Sequence, residues 1–144
     1  MNTGYSLCLA AELENLAVMR NFVQKSATAL GVDPAVISDV VLAADEAVTN
    51  VIVHGYQGRQ GTIEIKVEWE AMDVLVHVRD DAPPFDPTSV PSPDLTRPLE
   101  ERSPGGLGIY LIRQYVDEVI HRITPQGGNE LILKKGITTR GGKK

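Results

Sequence analysis

Residues 35–53 (AVISDVVLAADEAVTNVIV) restrict the fold most, because only Ser38, Asp39, Asp45, Glu46, Thr49 and Asn50 interrupt an otherwise apolar run. Asp33-Pro34, directly before it, is a helix start: the Asp serves as N-cap and the Pro takes the first helical position. The run therefore reads as a helix to about residue 53, broken by Gly55 and Gly58. A helix this apolar all round needs cover on more than one side. At 100° per residue, however, Asp39, Glu46 and Asn50 share one arc of about 40°. Leu42 and Val53 flank that arc on one side and Ala43 on the other, and no Lys or Arg lies in the helix to pair with it.

Two readings of the arc stand side by side. Either it faces water, with Leu42 and Val53 partly exposed, or it faces a cavity that holds a cation or a polar ligand. A buried carboxylate without a partner is costly, so the second reading requires such a ligand. Glu46 and Asn50 are i and i+4, so their side chains reach the same point. A carboxamide oxygen is a hard, neutral ligand suited to Mg²⁺, which keeps waters and shares phosphate oxygens. A glutamate one turn earlier can take a proton from a nucleophile near that ion.

The rest of the chain supplies the cover. Residues 5–10 suit a short edge strand, and residues 13–30 a helix with Leu13, Leu16, Val23, Ala27 and Leu30 at apolar positions, ending at Gly31. Residues 62–69 alternate, with Ile63, Ile65, Val67 and Trp69 on one face. Residues 74–80 do the same with Val74, Val76 and Val78, so a hairpin joins the two. From 82 to 106 there is no usable period, and prolines stand at 83, 84, 87, 91, 93, 98 and 104. A loop that long in a small domain suits a functional lid. Residues 107–117 read as a helix entered through Gly105-Gly106, and 118–124 with 129–135 as a second hairpin. Helices and strands in blocks predict an α+β two-layer sandwich, with helices on one face of a mixed, mainly antiparallel sheet. One domain over 1–137 and a disordered tail over 138–144 follow.

The net charge of −5 argues against nucleic acid as a direct partner. Cys8 is the only cysteine, which excludes an intrachain disulfide, and its apolar surroundings suit a structural place. No apolar run approaches the roughly 18 residues of a membrane span. The first residues lack an export signal, so the cytoplasm is expected.

Two further clusters bear on chemistry. VRDDAPPFDP ends a strand with Asp80, whose carboxylate can accept from an exocyclic amine such as that of adenine, or can cap a turn. SPGGLGIYLI puts Gly105, Gly106 and Gly108 at a helix start, where backbone N–H groups suit an anion, or simply join a loop to a helix. In this order, E-x-x-x-N on a helix, D-x-A-P-P-F after a strand and G-G-x-G opening a helix resemble the three ATP-binding boxes of the Bergerat-fold, histidine-kinase-like ATPases. DEAVTNVIVHGY, VRDDAPPFDP and GGLGIYLIRQYVDEV are similar in particular to the anti-sigma-factor serine-protein kinases, over roughly residues 5–135.

The resemblance implies an ATP-dependent protein-serine kinase that regulates a sigma factor and phosphorylates a STAS-type antagonist. It implies Glu46 as general base, Asn50 on Mg²⁺, Asp80 on the adenine amine, and Gly105, Gly106, Leu107 and Gly108 around the phosphates. Ala82 and Phe85 lie in the second box, each where Gly is common in the wider superfamily; a D-x-G-P-x-F form is familiar in the anti-sigma branch, so Ala82 alone departs from it, and Asn129 stands where the superfamily often has Thr. Arg102 would neutralise phosphate charge as the lid closes, or stay solvated. The family is often dimeric. Ala82 also motivates an alternative, a nucleotide-gated binding module that transfers nothing. A detached histidine-kinase catalytic domain is disfavoured by the lack of a helical hairpin bearing an acceptor His. His54 is expected to be a packing or turn residue.

Overall fold

The computed structural model describes residues 4–89 and 106–137. Most of the expected lid and the whole of the expected tail lie outside the described residues. Helix α1 (Leu16–Ala29) follows a single 3-10 turn at Leu13–Asn15. Helix α2 (Pro34–Asn50) starts as its sequence dictates: the Asp33 carboxylate accepts the Ala35 N–H at 2.9 Å, and Pro34 needs no partner for a missing N–H. After Asn50 the helix widens into a π-helical turn, Val51–Tyr56, which ends on Gln57 (φ 54) and Gly58 (φ 83) in left-handed conformation. The regular helix is therefore shorter than the apolar run, and the side chains from Val51 on are re-aimed.

Strands β1 (Gly4–Ala10), β2 (Thr62–Glu70), β3 (Asp73–Asp80), β4 (Glu118–Ile123) and β5 (Asn129–Gly136) form one sheet in the order β1-β2-β3-β5-β4. Among the described residues all four pairings are antiparallel, so the expected α+β sandwich is built there on an antiparallel rather than a mixed sheet. Helix α3 (Gly106–Tyr115) lies between β3 and β4 in the chain. In the helix layer α2 lies between α1 and α3 and against the sheet, which is why it is apolar nearly all round. Val40, Ala43, Ala44, Ala47 and Val48 of α2 share one core with Val23 of α1, Ile112 of α3, and Ile65, Val76 and Leu133 of the sheet.

Three expectations need correction. Trp69 is in phase with the buried face of β2 but lies at the sheet's end, 42% exposed. Cys8 is exposed rather than structural, since alternation along β1 turns it to the side opposite Leu7 and Leu9. Asp39 does not share the surroundings of Glu46 and Asn50; Lys135 of β5 pairs with it at 3.7 Å.

The open face of the sheet carries a row of alternating charge, Arg122–Glu130–Arg79–Glu64, read across β4, β5, β3 and β2. Its hub is Glu130, only 2% exposed. Arg79 Nε donates to it at 2.9 Å, Arg122 donates from both Nε and Nη2, and His77 Nδ1 lies 2.8 Å away. Burial alone would raise the Glu130 pKa, but the bonds from Arg122, His77 and Arg79 outweigh it and hold the group down at about 2. A depressed carboxylate stabilises the fold fully above its unfolded value, here 4.5, and loses that contribution as pH falls through about 2. Glu130→Gln is expected to cost about 1–3 kcal/mol at neutral pH and to flatten the loss of stability in that acid window. Urea midpoints measured across the window check this; parallel curves for the two proteins would contradict it.

Candidate functional site

The site forms where the ends of β3 and β5 meet the widened turn after α2. Asp80, the last residue of β3, pairs in register with Asn129, the first of β5. Both are in phase with Val78 and Leu131 on the helix side, and both are buried. The β4–β5 turn that delivers Asn129 depends on its glycines: Gly127 has φ 90, and a Cβ on Gly128 would lie 2.1 Å from the Asp80 carbonyl oxygen. Asp80 Oδ1 accepts the Ala82 N–H at 2.9 Å and Asn129 Nδ2 at 3.0 Å. Burial raises the Asp80 pKa, and those two bonds oppose the shift. Tyr56 ties the neighbouring segments together. Its hydroxyl donates to the Thr62 carbonyl at 2.7 Å and accepts the Asp81 N–H at 2.8 Å, and its ring fills the space where a Gly61 Cβ would stand.

A cavity of about 390 Å³ opens beside these groups. Asn50, His54, Arg59, Asp80, Phe85, Ile112, His121 and Asn129 are among the residues that line it. Of the predicted residues, Asn50, Asp80, Phe85 and Asn129 therefore come together. Glu46 stands one turn before Asn50 at the cavity's edge, half-buried, and its pKa is raised by burial and then by the charge of Asp45. Asn50 and Glu46 converge on Gly108 in the first turn of α3. A Cβ there would lie 2.6 Å from Asn50 Nδ2 and 3.2 Å from Glu46 Oε2, so a glycine at this position lets both side-chain ends stay where they are. Leu42 and Val53, 46% and 44% exposed, flank this arc, so it faces both the cavity and water.

Ala82 does not line the cavity. It is 2% exposed, belongs to the core, and sits 3.3 Å from where a Gly55 Cβ would stand. Its φ is not in the left-handed region, so the methyl introduces no backbone strain. Gly55, in the widened turn, leaves room for it. His54 stands in the π-helical turn, which agrees with the turn half of its expectation, but it is exposed and lines the cavity rather than packing in the core. Gly106 opens α3 and Leu107 follows in it; Arg102 and Gly105 lie outside the described residues. Sequence reasoning missed His121, Tyr56 and Arg59. A signal existed for His121, which is in phase with Val119 on the helix-facing side of its strand.

The donor set fits a magnesium–nucleotide complex. The cavity volume lies in the range typical of small-ligand sites. Among the described residues no group of three or more His, Cys, Asp and Glu is placed to hold a metal unaided. A cation beside Asn50 would take its other oxygens from phosphate and water, as Mg²⁺ commonly does.

Residues 9–135 match the histidine kinase-like ATPase domain family. The serine/threonine-protein kinase BtrW of Bordetella bronchiseptica is 32% identical over 95 residues, 65% of this chain and 66% of that protein. An anti-sigma F factor of Clostridium novyi is 35% identical over 104 residues, 70% of this chain and 71% of the relative. In three dimensions the chain resembles a crystal structure of the RsbU and RsbW domains of a Mycobacterium tuberculosis protein. The TM-score is 0.64 at 19% identity, over 94% of this chain and 33% of that one, a likeness that speaks to the fold. The chain belongs to the histidine kinase-like ATPase family and, within it, to the anti-sigma-factor serine-protein kinases. As a member it carries an ATP-binding domain of the histidine kinase-like type. None of its described helices is long and apolar enough to cross a membrane.

Proposed function

We propose that the cavity takes ATP with its adenine against Asp80 and its phosphates toward Asn50 and the start of α3. The acceptor is a serine on a STAS-type antagonist protein. The observation that carries this reading is the convergence of the Glu46 carboxylate and the Asn50 carboxamide over Gly108, at the edge of a cavity that contains Asp80.

Each residue then has a physical task. Bound magnesium–ATP supplies the transferable phosphoryl group and most of the charge neutralisation. Asn50 would offer a neutral oxygen to the ion, a hard ligand of the kind Mg²⁺ takes. The first N–H groups of α3, from Gly106, Leu107 and Gly108, receive phosphate oxygens where the helix dipole favours negative charge. Arg102 and Gly105 would complete this cradle from the preceding segment. Glu46 takes the proton of the acceptor hydroxyl, and the raised pKa that burial gives it makes it a stronger base than an exposed glutamate. Phe85 and Asn129 wall the base end of the cavity.

The same chain would hold either a sigma factor or the unphosphorylated antagonist, in the cytoplasm where transcription is regulated, and would pair with a second copy of itself. The test is a mixture of the purified protein, magnesium–ATP and its antagonist, followed by phosphopeptide mapping. Phosphoserine on the antagonist is expected. Tight complex formation with no phosphoserine would replace the kinase reading with that of a binding module.

A further inference from the structure

We infer that His121 is a positioning residue for base recognition, which acts through Asn129 to keep Asp80 an acceptor facing the cavity. The inference rests on the reading that Asp80 meets the base. His121 projects from β4 into the cavity lining, its side chain 7% exposed. Its Nε2 lies 2.8 Å from Asn129 Oδ1.

The orientation of Asn129 follows from its five neighbours. Its Nδ2 faces three oxygens: Asp80 Oδ1 at 3.0 Å, and the carbonyls of Ala82 and Pro83 at 3.2 Å each. Its Oδ1 accepts the Phe85 N–H at 2.9 Å. A flipped carboxamide would set its oxygen against three acceptors and its NH₂ against a backbone N–H. The oxygen of Asn129 therefore faces His121, and His121 must donate from Nε2. On the other side of the ring, Nδ1 lies 3.8 Å from Asp86 Oδ1, beyond a direct hydrogen bond, and Asp86 Oδ1 also accepts from the N–H and hydroxyl of Thr88.

The consequence reaches Asp80. Two donors, the Ala82 N–H and Asn129 Nδ2, occupy Oδ1 and leave Oδ2 as the oxygen available to a ligand. If Asn129 turned over, its oxygen would face Asp80 Oδ1, and the buried carboxyl would favour its protonated form. A protonated carboxyl donates, and would suit a 6-oxo purine as well as a 6-amino purine. The His121–Asn129 pair thus selects an exocyclic amine over a carbonyl, using two residues that no contact with the base itself requires.

The experiment has two arms. In the ligand-free protein with ¹⁵N-labelled histidine, a long-range ¹H–¹⁵N spectrum should show His121 protonated at Nε2; a neutral ring protonated at Nδ1 would overturn the inference. Calorimetry with ATP and inosine triphosphate should then give wild-type protein a preference for ATP of about tenfold or more, the worth of one hydrogen bond to a charged group. His121→Leu should bring that ratio toward one, while His121→Gln, which restores a donor at the same reach, should keep it. Absence of any preference in the wild type would defeat the Asp80 reading itself. A wild-type preference that His121→Leu retains in full would defeat the inference alone. Should the leucine variant fail to fold, the tautomer in the wild type decides.

Discussion

Glu46→Gln is expected to slow phosphoserine formation by about 10²–10⁴-fold, the usual contribution of a positioned general base, while ATP affinity stays unchanged. The asymmetry comes from where Glu46 stands. It is not among the residues that line the cavity, so the nucleotide loses no direct contact with it. Its carboxylate meets the same point as Asn50, beside Gly108, where an acceptor hydroxyl approaching from the open side would arrive. Glutamine keeps the volume and hydrogen-bonding reach but takes no proton. Burial, with a smaller push from Asp45, raises the Glu46 pKa above its ordinary 4.5. The acid limb of the wild-type pH–rate profile should therefore fall above that value, and the variant's residual rate should lack that limb. Single-turnover assays and calorimetry check both halves. Wild-type rates in the variant, or parallel losses of rate and nucleotide affinity, would contradict the assignment.

Gly108→Ala is expected to cost about 10²-fold in transfer rate, the size of effect that a displacement of about 1 Å in a reacting group produces. Its thermal stability should be unchanged or slightly higher, because alanine favours a helix over glycine by up to about 1 kcal/mol. The added methyl would meet Asn50 Nδ2 at 2.6 Å and Asn50 Oδ1 at 3.1 Å. These are the mobile ends of a side chain, so the carboxamide swings away and the fold survives. Gly128→Ala provides the contrast: its methyl would meet the Asp80 carbonyl at 2.1 Å, and backbone cannot swing aside. That variant should lose stability as well as activity. A fully active Gly108→Ala protein would mean that Asn50 has no exacting position to lose.

Local rules made part of this structure legible. Asp33-Pro34 predicts its own cap, and the cap is there. The i, i+4 spacing of Glu46 and Asn50 predicts convergence, and α3 meets both at Gly108. Alternation in β2 and β3 gives the buried face through Val67 and Val74 but misplaces Trp69, because periodicity identifies a face and not where the helix layer ends. What escaped the sequence depends on pairing between distant segments. Asp39 finds Lys135 across 96 positions (135 − 39). Glu130 becomes a buried hub because Arg79 and Arg122 arrive from the strands on either side of it. The π-helical turn after Asn50 was hidden inside an apolar run whose composition favours helix at every position. Ala82 looked like an obstacle in its motif, but its neighbour is Gly55, whose missing side chain makes the room.

The most direct measurement is a crystal structure of the protein with magnesium and a non-hydrolysable ATP analogue. The ion should bond Asn50 Oδ1, the triphosphate should lie along the first turn of α3 beside Gly108, and the adenine amine should meet Asp80 Oδ2. An analogue bound elsewhere, or a cavity filled by Phe85 and its neighbours with no nucleotide in it, would contradict the account.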